Sequence, residues 1–487
     1  MIKLPEYKWR IFGVTGLASI TTATAVSSIS LALPVMAEEF GVSMAAISWL
    51  ALIYSLIQSC TLLIFGRLAD LYGYKRQFIG GFLVFGVASV MLPVIARGLP
   101  GLILFRSLQG IGASMMISIT QAMCNRAFPP HERGKALGVN SIFVSVGYAI
   151  GPSVSGLLMS SFSWRSIFYF NLPSCVLGLV MAVLILRKDE LDPDVERKMD
   201  LPGSLLFAAA IGLLAIAVNY SADWGFLSAM FLGCLLGSLA FLAAFIVRER
   251  RTDMPLMKLE FYRNPVFSFA NGASVCSYAL QQMTNFLVPF FLINILYLSK
   301  SDSGFIMLAM PLTMMLFSPY GGKLTDSHGS RLPALAGLAI LAVGCIGMCF
   351  LSATTPVAVV VVALLLYGVG NGLSVQAINA AIFSAAPREH SGMASGMVAT
   401  LRNLGQGLGV AFGSAIMAVR QNYYTASGVG VGAMGAGSAD GLGAAALADG
   451  SRIYLMAQRD AFLFGLGVVM VALYCMYRIP SRIEQPE

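Results

Sequence analysis

Two arginines stand inside long apolar runs of this sequence: Arg106 in LILFRSLQGIGAS and Arg402 in ATLRNLGQGLG. An ionised side chain within a bilayer costs on the order of 3 kcal/mol, so such residues mark function by default. Amides crowd the same kind of run, among them Gln109, Gln121, Asn140, Gln281, Gln282, Asn285, Asn371, Gln376, Asn379, Asn403 and Gln406. Cations and amides with no nucleophile or metal ligand beside them can hold a polar ligand but cannot cleave it. The candidate substrate or coupling set is Arg106, Gln109, Gln281, Gln282, Asn285, Asn371, Asn379, Arg402 and Asn403. Three competing roles stand beside it: a side chain reaching the outer interface for Arg106, a helix-end cation for Arg402, and interhelical bonding for part of the amides.

Acids are missing from the middle of every apolar run. Asp223, Asp302 and Asp460 fall at one set of run ends, and Asp70 and Asp326 in polar loops, as do His131, His328 and His390. A proton-driven carrier ordinarily uses an embedded carboxylate or histidine whose pKa swings with exposure; here none is obvious. No cluster of His, Asp or Glu lies in the runs and no GxxxxGK[ST] loop occurs, so neither an intramembrane enzyme nor an ATP-driven pump is expected. No cofactor or metal is implied.

The elements that must position these side chains are membrane helices. With 57% hydrophobic and 11% charged residues in 487, a water-soluble surface cannot be covered. The net charge of +8 sits in short loops, where the positive-inside rule accounts for it, so nucleic acid is not an expected partner. Eight cysteines lie in or beside apolar runs and imply no disulfide framework. Lys3, Lys8 and Arg10 precede a first run that resembles a leader peptide, but it continues to Leu33 and reads as an uncleaved helix.

At about 20 apolar residues per crossing, fourteen helices are predicted near 11–33, 46–66, 78–97, 101–124, 135–160, 165–186, 203–222, 226–247, 266–295, 303–321, 333–352, 357–384, 394–418 and 458–477. Bases in alternate loops place both termini in the cytoplasm, across a cell inner membrane. GRLADLYGYKR from Gly66 returns as GKLTDSHGSR from Gly322, pairing Asp70 with Asp326, Gly73 with Gly329 and Lys75 with Arg331. RGKALG echoes as SGMASG, pairing Gly134 with Gly392 and Gly138 with Gly396. A long-period echo marks a duplicated bundle. Residues 1–190 then form one six-helix bundle, 191–262 a two-helix connector, and 263–487 a second bundle with a long external loop at 419–457. The repeated polar segments read as tight loops, and the Gly- and Ala-rich stretch as flexible or a short hairpin.

These motifs resemble the major facilitator superfamily, and within it the fourteen-helix drug:proton antiporters of the EmrB/QacA type. GRLADLYGYKR is similar to the loop motif between helices two and three, RSLQGIGAS to the fourth-helix motif, GYAIGPSVSG to the fifth-helix antiporter motif, and WRSIFYFNLP to the entry of the sixth helix. The resemblance implies a latch at the cytoplasmic side from Arg67, Asp70, Lys75 and Arg76, with Asp326 and Arg331 as its repeat. It implies an antiporter helix shaped by Gly147, Gly151, Pro152 and Gly156, and a coupling or substrate role for Arg106. Ala25 stands where the family's first helix commonly carries an acid, and Ser155 replaces the first glycine of the usual closing pair.

The expected function is secondary export of small amphipathic organic compounds by alternating access, proton-coupled by resemblance. The rival is a carrier or exporter for neutral or anionic amphiphiles or lipids with weak or no proton coupling. A third possibility couples protons through an edge acid such as Asp223 or Asp460. The expected partners are a small-molecule substrate, protons and the lipid bilayer, and the expected state is a monomer.

Overall fold

The computed structural model describes residues 7–42, 44–95, 98–129, 132–187, 199–220, 224–225, 228–252, 255–257, 259–386, 391–426 and 439–480. His131, Asp223 and His390, named above, lie outside them, as does most of the charged stretch after Arg187. The described residues form sixteen α-helices and one short 3₁₀ turn, Leu259–Arg263. The first bundle holds α1 (Tyr7–Phe40), α2 (Met44–Tyr72), α3 (Tyr74–Ile95), α4 (Leu99–Ala127), α5 (Arg133–Ser161), α6 (Ser166–Tyr169) and α7 (Asn171–Ile185). The connector is α8 (Leu201–Asn219) and α9 (Ala229–Glu249). The second bundle holds α10 (Pro265–Asn294), α11 (Lys300–Met307), α12 (Ala309–His328), α13 (Arg331–Cys349), α14 (Val357–Ser384), α15 (Ser391–Ala426) and α16 (Ala439–Tyr477). Taking α6 with α7 and α11 with α12, these make fourteen crossings.

Local chemistry sets where several helices start. Asp200 caps α8 by accepting the Gly203 N–H, Ser228 caps α9 and Ser299 caps α11. Asn264 accepts the Val266 N–H at the start of α10, with Pro265 in its first turn. Twelve of the crossings are long and apolar enough to span a membrane. The other two, α10 and α15, run for 30 and 36 residues but carry the amides and Arg402, which lowers their apolar content.

The two bundles repeat one packing pattern. In the first, α1 packs on α5, α2 on α4, and α3 on α4 and α7; in the second, α10 packs on α15, α12 on α14, and α13 on α14 and α16. The bundles meet where α5 lies on α12 and α2 on α15. Gly66 faces Gly392 and Gly396, and Gly134 faces Gly322, so closely that a Cβ at any of them would overlap backbone atoms of the other helix. The two sequence echoes thus pack crosswise: the first copy of each motif lies on the second copy of the other.

Two expectations are corrected. The repeated polar segments are not loops along their length: α2 continues to Tyr72 and α12 to His328, and the chain turns only at Gly73 and Gly329, where φ is 101° and 78°. A glycine adopts that left-handed backbone without steric cost. The external loop placed at 419–457 is largely helical, since α15 reaches Ala426 and α16 begins at Ala439. Alanine and leucine in ADGLGAAALADG favour helix despite weak hydropathy, and Arg420 on α15 bonds Asp460 on α16 across the pair. Residues 427–438, the glycine-rich centre, lie outside the described set.

Candidate functional site

At the end of the molecule bearing the repeated motifs, two carboxylates link the bundles in opposite directions. Asp70, near the end of α2, accepts the N–H groups of Gly392 (3.0 Å) and Met393 (2.8 Å) at the start of α15. Asp326, near the end of α12, accepts those of Gly134 (2.8 Å) and Lys135 (3.0 Å) at the start of α5. Each acid caps a helix of the other bundle. The first turn of a helix offers unpaired N–H donors and a positive dipole end, so a carboxylate there is doubly favoured. Asp70 also accepts the Tyr74 hydroxyl and lies 3.7 Å from the Arg126 guanidinium, which bonds the Ser391 hydroxyl at 2.7 Å and stacks on Tyr74 at 4.2 Å.

The other residues nominated for this latch take different partners. Lys75 donates to the carbonyls of Val183 (2.7 Å) and Leu186 (2.6 Å) at the end of α7, a cation serving a helix C-terminus. Arg67 is buried, Arg76 exposed, and Arg331 stacks over Tyr477 at 4.8 Å. Sequence reasoning did not single out Tyr74, Arg126 or Ser391, which surround Asp70. Tyr74 lies four residues past Asp70 in the same motif, across the turn at Gly73, which was the available signal.

Between the bundles lies a cavity of about 630 Å³. Of the nine nominated residues, Gln281, Gln282, Asn285, Asn379, Arg402 and Asn403 line it, joined by Gln58, Gln121, Asn140, Gln406, Tyr148 and Tyr278. Arg402 is the one charged side chain among the described lining residues. Asn403 reaches across to Gln58 (3.4 Å) and Ser59 (3.3 Å) on α2, and Gln376 bonds Ser141 on α5 at 2.7 Å, so amides tie the bundles at the cavity's edge. Gln121 Oε1 and Asn379 Oδ1 are buried acceptors with no hydrogen-bond partner among the described residues.

Arg106, Gln109 and Asn371 are not part of this lining. Arg106 is 1% exposed and holds the first bundle together: it donates to the carbonyls of Leu50 (3.1 Å) and Ala25 (3.0 Å) and to Gln109 (2.9 Å), and stacks on Tyr54 at 4.3 Å. Gln109 passes the chain on to Ser89 at 2.8 Å. Asn371 bonds the Tyr367 carbonyl at 3.0 Å inside the second bundle. One arginine therefore faces the cavity, where two were expected. The edge acid Asp460 is held by Arg420 and Tyr424, each at 2.6 Å, and Asp302 lies beside the Ser299 cap of α11.

In the antiporter helix, Gly147 lets α1 approach α5: a Cβ there would lie 2.7 Å from Ala23 Cβ, and the Gly147 carbonyl accepts the Thr24 and Ser27 hydroxyls, both at 3.3 Å. Gly151 presses on Ser27, whereas Gly156 has open space around it. The Pro152 side chain lies outside the described residues.

Comparison with known proteins fits this architecture. The chain is 30% identical over 418 residues to the riboflavin transporter RibZ of Clostridioides difficile, covering 86% of this chain and 90% of that one. It is 32% identical over 393 residues to the multidrug resistance protein Stp of Mycobacterium tuberculosis, covering 80% of this chain and 72% of the relative. The crystal structure of the human organic anion transporter MFSD10 superposes with a TM-score of 0.64 at 13% identity, over 96% of this chain and 100% of that one, a likeness of fold. The sequence profile described as Major Facilitator Superfamily matches residues 15–410. A multi-pass chain of two pseudo-equivalent bundles closed at one end by crossed helix caps, and matched over that length, belongs to the Major Facilitator Superfamily, whose members are transporters and not enzymes.

Proposed function

We propose that this protein is a secondary active exporter of small amphipathic organic compounds, working by alternating access in a bacterial inner membrane with both termini and the sealed end in the cytoplasm. The observation that carries the proposal is a ligand-sized cavity between two bundles that meet at one end through close glycine packing and crossed hydrogen bonds. Clefts of roughly 300–1,000 Å³ suit drug-sized ligands. Amides supply adaptable hydrogen bonding, Tyr148, Tyr278 and the methionines of α12 supply apolar faces, and the unpartnered acceptors of Gln121 and Asn379 suit a ligand or water that brings donors. Relatives named for multidrug resistance support an efflux role, and family resemblance supports exchange with protons.

A second reading, transport of neutral or anionic amphiphiles with little proton coupling, is favoured by one fact. The described lining has a cation, Arg402, and no carboxylate, so a bound organic cation would lack local compensation. The relative named for riboflavin transport is compatible with it. Reconstituted protein should be offered a cationic dye and an anionic amphiphile in parallel, with and without a pH gradient. Gradient-driven movement of the cation supports drug:proton exchange. Movement of the anion alone, lost at least tenfold in Arg402→Gln and indifferent to pH, supports the second reading. No gradient-driven or exchange movement of either would refute both.

A further inference from the structure

The sequence presents 191–262 as a two-helix connector, and α8 packs between the two bundles. It packs on α2 of the first bundle and on α15 of the second, bridging the seam between them, while α9 lies outside it with most of its length turned outward. The contacts are specific. Cys60 on α2 donates to the Ala208 carbonyl at 3.3 Å, Gly407 on α15 leaves space that Val218 fills, and Trp49 on α2 packs against Tyr220 at 5.7 Å. On its other side α8 is fastened to α9 by the Ser238 hydroxyl on the Ala210 carbonyl (2.8 Å) and by Phe207 against Phe245 (5.4 Å).

One stripe of α8 reaches the cavity: Ile211, Leu214, Ala215 and Val218. These positions fall at i, i+3, i+4 and i+7, a single helix face. That face is wholly aliphatic, whereas the neighbouring faces of α10 and α15 bring Gln281, Gln282, Arg402 and Gln406. The division of chemistry is that of an amphipathic ligand.

We infer that α8 is part of the substrate site and not a tether: its aliphatic stripe is the surface on which the apolar part of a substrate packs, and its position across the α2–α15 seam separates that substrate from lipid. This rests on the transport reading above and adds to it a specificity-determining element. An apolar wall discriminates by size and shape, typically 10- to 200-fold for a misfit. Selectivity between bulky and slender substrates is therefore set by Leu214 and Ala215.

Two measurements test this, and the first needs no substrate. Cysteines placed at Leu214, Ala215, the lining position Ser145 and the outward position Leu205 are treated with a membrane-impermeant maleimide in proteoliposomes, the unsubstituted chain giving the background of its eight native cysteines. Labelling at 214 and 215 at rates within about threefold of 145, with 205 unlabelled, is expected. Labelling at 145 without 214 or 215 overturns the inference and leaves the cavity intact; no labelling at any of them removes the aqueous cavity and the inference with it. In the second, binding of the fluorescent anion 8-anilinonaphthalene-1-sulfonate is compared in Ala215→Trp and Leu205→Trp. A loss of about tenfold or more confined to Ala215→Trp is expected. Equal affinities in the two variants would overturn the assignment.

Discussion

Removing the charge of Asp70 should unseal the end of the molecule that its carboxylate holds shut. Asp70 receives two backbone N–H donors of α15, at 3.0 and 2.8 Å, from a side chain only 3% exposed. Hydrogen bonds to a charged group contribute about 1.5–3 kcal/mol each, and the dipole of α15 adds to them. In Asp70→Asn one oxygen remains to accept one N–H, while the new amide turns its own donors towards the other. The sealed state should lose about 3 kcal/mol, a shift of about a hundredfold in the equilibrium between closed and open ends. Asp326→Asn should do the same, because Asp326 holds Gly134 and Lys135 in the mirrored arrangement. The two acids cap different helices, α15 and α5, so the double variant should approach the sum. Spin labels at Leu184 on α7 and Leu332 on α13, both exposed at this end and in different bundles, report the separation. One distance population in the unaltered protein and an added longer one in each variant is expected. If both single variants are folded and keep the unaltered distance distribution, the crossed caps do not hold the seal and the reasoning fails.

Arg106→Ala should destabilise the protein by about 3 kcal/mol or more, read as a large fall in thermal midpoint in detergent, because a fully buried cation ties α1, α2 and α4 through three hydrogen bonds. Arg106→Lys should recover little, since an ammonium lacks the planar fork that reaches Leu50, Ala25 and Gln109 together. Gly147→Leu should cost about 1–3 kcal/mol by forcing α1 from α5, whereas Gly156→Ala, with nothing near its added methyl, should be neutral in the same melt. Glu39 lies beyond the first apolar span, and its hydrogen bond from Arg165, with a second from Trp164, holds its carboxyl below the ordinary value of 4.5. A depressed acid contributes stability that is present above its unfolded pKa and lost as pH falls through its folded one. Melting temperature should therefore be flat near neutrality and decline below about pH 4.5, and Glu39→Gln should lower the neutral value and flatten that decline.

Much of the architecture was readable because a bilayer imposes one rule on every segment: backbone polar groups must be satisfied within it, so long apolar runs become helices. The fourteen crossings follow from this, and the echo of Gly66–Arg76 in Gly322–Arg331 gives the two bundles. The same hydropathy rule misjudged residues 419–457, where helix is extended by alanine propensity and the Arg420–Asp460 contact without much apolar content. The amide-rich runs around Gln281 and Arg402 fall on α10 and α15, and residues of both line the cavity. Their polarity is tolerable only because neighbouring helices and a cavity, not lipid, surround it.

What composition could not decide is which side of a helix meets which neighbour. Arg106 and Arg402 look equivalent in sequence, each a lone cation among glycines and amides. Yet one is spent on the carbonyls of Leu50 and Ala25 inside the first bundle and the other lines the cavity. Asp70 and Asp326 were legible as a repeated pair, but their partners, the N–H groups at the starts of α15 and α5, carry no side-chain signature and lie 322 and 192 residues away. The placement of α8 was invisible for the same reason: the sequence shows a connector helix, and only its packing on α2 and α15 brings Ile211, Leu214 and Val218 to the cavity. Sequence by itself determined the helices, their number and the duplication, because those depend on local hydropathy and repetition. Only tertiary structure decided which charges hold the fold, which face the cavity and which caps seal it, because those depend on contacts between segments hundreds of residues apart.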